Sequence, residues 1–417
     1  MSNSQAGTGS IGNRLWKIIT SPSRMMLTVG AVVILVSLVR QFTGVDDITS
    51  PGATGATIRF TIPILMAGLG GLWAERSGVI NIGLEGMMIL GTWFGAWFGF
   101  LYGPWVGIFA GAIGGAIAGL LHAVLTVRVG IDQAVSGLAI NLLGAGTARF
   151  LSGVFFIGKG GDVNISPQVN STGSFTVPGL SPFLTSLAHR HILVISDIAG
   201  VSAGLVTKIN WASLVMFLAL PLTAWILWKT RFGLRMRFCG ENPVAAESLG
   251  VNVYRTRFIA LAVSGGLAGL GGAYISIVST GNYLEGQTAG RGYIGLAAVI
   301  FGNWTPAGVL GGSVLFGLTD ALRVRQSTSV HALLLIVISL AAVYSLTKLR
   351  KKDWKGFIIN IAIAGLVLAY YMINKVVPDE FVTFFPNLTT ILVLAFLSQR
   401  LRPPAMAGAP YRKGEEG

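Results

Sequence analysis

The chain has 417 residues, of which 53% are hydrophobic and only 11% charged, with a mean hydropathy of +0.70, whereas an ordinary soluble domain carries roughly 25% charged residues. That excludes a soluble globular protein and predicts an all-α polytopic membrane protein. A net charge of +14 would suggest nucleic acid for a soluble chain, but here the basic residues cluster beside apolar runs, where they set topology and face the lipid bilayer, so no nucleic-acid partner is expected. The single Cys239 excludes an intramolecular disulfide and, with only four His, no metal site is expected. Gly supplies 57 residues, about twice the usual share, which suits helices that pack closely in lipid.

In chain order, a cytoplasmic N-terminal tail (1–24, with Arg14, Lys17 and Arg24) leads into a span without a cleavable signal, so the first span is expected to remain as an anchor. Apolar runs able to cross about 30 Å of hydrocarbon fall near 25–40, 57–73, 80–102, 105–127, 135–157, 211–228 and 258–278, then near 330–347, 357–375 and 381–399. Gly302-Asn303-Trp304-Thr305-Pro306 splits 293–320 into a broken or re-entrant pair. The organisation expected is a transmembrane core over 25–329, with a polar external loop at 158–208 and a basic hairpin at 229–257. An inserted helix pair (330–375), a final helix (376–399) and a cytoplasmic tail (400–417) follow. The basic hairpin, Lys348 to Lys355 and the tail count as cytoplasmic; the acidic loops at Asp46, Asp47, Asp379 and Glu380 count as external. Parity then requires 293–320 either to enter and leave on one side or to cross twice.

From Glu75 to Met87 the chain reads ERSGVINIGLEGM, which places Asn81 and Glu85 four apart, on one face if helical. A lone carboxylate costs roughly 2.5–3.5 kcal/mol at the bilayer centre, so Glu85 either faces a cavity or pairs with Arg149 to lock helices together. The glycines around it allow an unwound segment lining a substrate path. A second interruption, Gly290 to Gly308, lies in the later half, and interruptions in both halves point to a site near the midplane. Asn141 and Asn303 are candidate hydrogen-bonding groups for a sugar-like or base-like ligand, and Trp93 and Phe301 are candidate stacking rings; each also serves as an ordinary packing residue.

Between Trp228 and Phe258 six basic residues stand against Glu241 and Glu247. Within this hairpin Asn242-Pro243 starts a short helix, Ala245, Ala246 and Glu247 continue it, and Gly250 ends it. Such a helix suits docking to a soluble partner. Gly153 to Gly160 matches G-x-x-x-x-G-K, but Gly160 stands where Ser or Thr should hold magnesium, and the match follows an apolar run rather than a strand. The chain therefore reads as having no catalytic residues and no nucleotide site, and its few ionisable span residues (Glu85, Arg149, Asp320) argue against a proton relay.

Three stretches, ERSGVINIGLEGM, Phe232 to Gly272 and Gly290 to Gly317, together with the tail RPPAMAGAPYRK, resemble the permease subunits of ABC importers for branched-chain amino acids, ribose and nucleosides, most closely the nucleoside type. The resemblance implies a type II ABC importer-like helical bundle in a bacterial plasma membrane. It implies as partners an ABC ATPase with two nucleotide-binding domains, a second permease subunit in a heterodimer, and an extracytoplasmic substrate-binding lipoprotein. ATP and magnesium would sit in the ATPase, with no cofactor in this chain. By position, Glu241 to Gly250 would be the coupling helix, with Ala245, Ala246 and Gly250 permitting close approach. The extra pair at 330–347 and 357–375 departs from the family pattern. Ribose or another simple sugar remains the nearest alternative ligand; an ion-coupled secondary transporter is the alternative of a different class.

Overall fold

The computed structural model describes residues 22–323, 327–350, 353–374, 377–378 and 401–413. The N-terminal tail to residue 21 and the final span expected at 376–399 therefore lie almost wholly outside the described residues. The helices are α1 (Pro22–Thr43), α2 (Pro51–Arg76), α3 (Leu84–Tyr102), α4 (Pro104–Ala123, continued by a π turn over Val124–Val129) and α5 (Gln133–Phe155). Next come α6 (Leu180–Ala188), α7 (Ile195–Gly204), α8 (Trp211–Phe217), α9 (Ala219–Lys229), α10 (Arg231–Glu241) and α11 (Pro243–Ser248). The remainder are α12 (Val253–Tyr274, with a π turn over Ile275–Ser279), α13 (Arg291–Phe301), α14 (Pro306–Arg323), α15 (Ser327–Arg350) and α16 (Trp354–Ile373). A two-residue antiparallel ladder joins β1 (Ser174–Phe175) to β2 (Ile209–Asn210).

Among the described residues seven helical stretches are long and apolar enough to cross a membrane: α2, α3, Pro104–Val129, α5, Trp211–Lys229, Val253–Ser279 and α16. Two compact units share the chain. The larger comprises Thr57–Phe175, Ile209–Leu318 and Arg400–Gly417; the smaller comprises Met1–Ala56, Thr176–Lys208 and Thr319–Gln399.

The larger unit is built on glycine. A Cβ at Gly265 or Gly269 of α12 would collide with the carbonyl oxygen of Gly115 or Gly111 of α4, and one at Gly272 would meet the Met88 carbonyl of α3. Backbones at such separations gain dispersion and weak C–H contacts that larger side chains would forbid, which is how helices associate where lipid removes the hydrophobic drive. By contrast α5 packs with one stripe only: Gln133, Ser136, Gly137, Ile140, Asn141, Gly144, Ala148 and Ser152 are buried, while Leu138, Leu142 and Phe150 are exposed.

The split expected over 293–320 resolves into two unequal arms. α13 has 11 residues, about 16 Å and half a bilayer, and runs beside α2 in the same direction, with Gly295 against Ala67 and Gly71 against Val299. α14 returns antiparallel, with Val309 against Gly68 and Gly317 against Thr61. The turn between them puts Asn303 and Trp304 at φ 49° and 53°, a left-handed region that costs non-glycine residues roughly 1–2 kcal/mol each. Four bonds hold it: Trp304 Nε1 donates to the Glu75 carboxylate, Arg76 Nε and Nη2 donate to the Trp304 carbonyl at 3.1 and 2.6 Å, and the Arg402 N–H donates to Asn303 Oδ1 at 2.7 Å.

Two expectations need correction. The run near 80–102 becomes helical only from Leu84, because the chain from Ser77 to Gly83 is unwound. Asn81 and Glu85 therefore do not share a helix face. The segment expected as a polar loop at 158–208 contains α6 and α7, which belong to the smaller unit. There Asp197 of α7 accepts from Thr49 Oγ1 at 2.6 Å and pairs with Arg40 at 3.3 Å, so a buried charge organises the segment. The inserted pair forms α15 and α16, with Asp353 capping α16 through the Gly356 N–H at 3.0 Å.

Candidate functional site

An unwound segment inside a membrane protein must have its free backbone groups satisfied from within. Here side chains from neighbouring helices do it. Gln133 Oε1 accepts from the Ile80 N–H at 2.6 Å, and the His122 ring lies 3.3 Å from the Ile80 carbonyl. Asn81 is fully buried; its Oδ1 accepts from the Gly83 N–H at 3.0 Å and its Nδ2 donates to Ser264 of α12 at 2.9 Å. Asn141 Oδ1 accepts from the Gly86 N–H at 2.7 Å, while its Nδ2 donates to the Ile82 carbonyl at 3.0 Å and to Tyr293 Oη at 2.8 Å. Asn81 and Asn141 thus spend these bonds on holding the break open.

Glu85 sits in the first turn of α3, 7% exposed. Its Oε1 accepts from the Gly290 N–H at 2.9 Å and its Oε2 from the Gly292 N–H at 2.7 Å. The carboxylate thereby caps the N-terminus of the half-helix α13, where unpaired N–H groups and the helix dipole favour an anion. Hydrogen bonds to charged groups contribute about 1.5–3 kcal/mol each, enough to offset the insertion penalty of a lone carboxylate, roughly 2.5–3.5 kcal/mol. A Cβ at Gly292 would lie 2.5 Å from Glu85 Cα, so only glycine lets the two helix starts meet. Pairing of Glu85 with Arg149 does not occur: Arg149 Nη1 donates to Glu285 at 2.7 and 2.5 Å.

The structure therefore brings Asn81, Glu85 and Asn141 into one network and leaves the other three candidates elsewhere. Trp93, 2% exposed, donates to Ser152 Oγ at 3.1 Å and is enclosed by Phe94, Trp97, Phe155 and Phe156, leaving no ring face for a ligand. Phe301 stacks on Phe316, with centroids 5.4 Å apart, at the far end of α13, and Asn303 anchors the chain near Arg402. Sequence reading missed Tyr293, which is 43% exposed beside Asn141, and Glu285, exposed beside Arg149. Tyr293 joins the network through Asn141, whereas Glu285 and Arg149 form a separate exposed pair. The signal was available in Gly290-Arg-Gly-Tyr, a glycine-flanked helix start ready to receive an anion.

At the hairpin end, α11 begins with Asn242 Oδ1 accepting from the Ala245 N–H at 2.9 Å and with Pro243 in its first turn. It ends in a Schellman motif: the Val251 N–H donates to the Ala246 carbonyl at 3.0 Å, the Gly250 N–H to the Glu247 carbonyl at 2.8 Å, and Gly250 has φ 80°. A Cβ at Gly250 would meet nothing within 4 Å, so the glycine serves the backbone turn and not a close approach. Pro243 and Ala246 form the buried face of α11, with Ala246 packed near Cys239 and Val253. Glu241 pairs with Arg76 at 3.8 Å, and Glu247 accepts from Tyr411. The outward face is instead Val244, 39% exposed, Ser248, and Leu249, 74% exposed.

A bundle with a half-helix ending on a buried carboxylate, and a capped helix displayed on a basic hairpin, fits a transport component. Residues 54–346 match the family described as branched-chain amino acid transport system, permease component. The chain belongs to this family. The permease is 39% identical to the nucleoside ABC transporter permease protein NupC of Lactococcus lactis subsp. cremoris over 275 residues, 64% of this chain and 80% of that one. It is 31% identical to the guanosine ABC transporter permease protein NupQ of Bacillus subtilis over 368 residues, covering 86% of this chain and 96% of that one. It is also 30% identical, over 87% of its length and 98% of the other's, to a Haloferax volcanii protein, TsgC13, provisionally named as a glucose ABC transporter permease. No solved structure matches the permease. It is a multi-pass membrane permease of the ABC class.

Proposed function

We propose that this permease imports nucleosides across a bacterial inner membrane, paired with a second permease subunit and driven by a separate ATPase carrying two nucleotide-binding domains. ATP and magnesium would be bound there, and an extracytoplasmic lipoprotein would deliver the ligand. The observation that carries this reading is the similarity, 31% identical over 86% of this chain and 96% of the other, to the protein of B. subtilis named as a guanosine ABC transporter permease. The geometry supports it in two places. Val244, Ser248 and Leu249 form a small, partly apolar knob on the cytoplasmic hairpin, the kind of surface an ATPase cleft would take up. Tyr293, 43% exposed and bonded to Asn141, supplies a ring and a hydroxyl beside the Glu85 network for a ligand with a base and hydroxyls. A sugar is the second reading, on the strength of the Haloferax relative.

Uptake of tritiated guanosine by the assembled transporter should depend on ATP and be competed by inosine and adenosine, with ribose and glucose ineffective at the same concentration. Competition by glucose or ribose alone would replace the nucleoside with a sugar. Uptake that persists without an ATPase and collapses with an ionophore would remove the ABC mechanism altogether.

A further inference from the structure

The C-terminal segment 401–413 is docked along the hairpin end of the larger unit and touches each part that coupling would have to move. The Arg402 N–H donates to Asn303 in the turn between α13 and α14. The Ala405 N–H donates to Glu241 Oε2 at 3.1 Å, and the Met406 N–H to the Gly240 carbonyl at 2.9 Å, both at the end of α10. The Gly408 N–H reaches the Gly78 carbonyl at 3.3 Å, inside the unwound segment. Tyr411 then donates its hydroxyl to Glu247 of α11, while its ring lies 5.6 Å from Tyr254 and 5.5 Å from the Arg257 guanidinium.

Arg257 closes the circuit. Although 2% exposed, it donates from Nε to the Ser77 carbonyl at 3.2 Å, one of the carbonyls left open where α2 ends. A continuous line of contacts thus runs from α11 through Glu247, Tyr411 and Arg257 to Ser77, the first residue of the break that carries Asn81 and leads into Glu85. Burial and the Glu247 bond push the Tyr411 hydroxyl well above its ordinary range, so it stays a donor at physiological pH.

We propose that residues 401–413 are the tie that makes α11 and the Ser77–Gly83 break move as one body, with Tyr411 and Arg257 as positioning residues for the coupling of ATP hydrolysis to transport. The proposal rests on the importer reading. α11 also bears on the break through α10, where Ala246 packs on Cys239 and Gly240 lies against Arg76 and Gly78, and the tail adds a second, polar route that holds the two in one orientation.

The test uses the full transporter, with ATPase and second permease, in proteoliposomes, measuring tritiated guanosine uptake and phosphate release together. Tyr411→Ala is expected to keep hydrolysing ATP while guanosine moved per ATP falls about threefold or more. Tyr411→Phe, which keeps the ring over Arg257 and loses only the Glu247 bond, is expected to show a smaller fall of the same kind, and it decides the matter if the alanine variant does not assemble. A wild-type uptake-to-hydrolysis ratio in the phenylalanine variant would overturn the tie, as would uptake and hydrolysis falling in proportion. A wild-type complex that hydrolyses ATP but imports neither guanosine nor glucose would overturn the importer reading and the tie with it.

Discussion

Glu85 shows how a single buried carboxylate can be accounted for by backbone alone. Its partners are the N–H groups of Gly290 and Gly292, which no side-chain inventory reveals. Glu85→Ala should leave both donors buried without acceptors, a loss on the order of 2 kcal/mol or more, read as a lower unfolding temperature of the detergent-purified protein. Glu85→Gln, which retains one acceptor oxygen, should lose less. Because Arg149 bonds to Glu285 instead, substitutions at 85 and 149 should be additive, whereas those at 149 and 285 should not. Strong non-additivity between 85 and 149 would return the direct pair that the geometry rules out.

Among elements, the packing of α4 on α12 makes a sharper demand than hydropathy does. Gly265 and Gly266 are neighbours on α12, so alanine at either gains the same helix propensity, about 1 kcal/mol. Their surroundings differ: a Cβ at Gly265 collides with the Gly115 carbonyl, while one at Gly266 has its nearest neighbour at 3.6 Å. Gly266→Ala should therefore be neutral or stabilising, and Gly265→Ala should lower thermal stability by about 1–3 kcal/mol. Equal stabilities would mean that the helices do not approach so closely. The contrast also marks what the sequence could and could not tell. Spans were readable because lipid imposes length and composition locally, and α11 because Asn242, Pro243 and Gly250 act within one or two turns. The docking of 401–413, and the helices α6 and α7, depend on partners far away in the chain, such as Gly78 for Gly408 and Thr49 for Asp197. No periodicity in a short polar segment encodes such a partner.

For the whole chain, the arrangement of α13 and α14 decides the course of everything that follows, since two crossings and a one-sided re-entry put different loops at the hairpin end. The turn at Asn303 and Trp304 bonds to Arg76, Glu75 and Arg402, and Glu241 bonds to Arg76 and Ala405, so the turn and the basic hairpin occupy the same end of the larger unit. Charge bias is the reason to expect that end in the cytoplasm. A membrane-impermeant maleimide distinguishes the two courses in intact cells. Ala307→Cys, exposed just past the turn, should react only after permeabilisation, as should Ser248→Cys on α11, whereas Ser171→Cys, exposed on the far side, should react from outside. The native thiol does not interfere: Cys239 is buried against Ala246 and Val253, and burial pushes its ionisation up, so the reactive thiolate is suppressed. Labelling of Ala307→Cys from outside would mean that α13 and α14 dip in and return without reaching the hairpin end, and the bonds that join Trp304 to Arg76 could then not exist in the membrane.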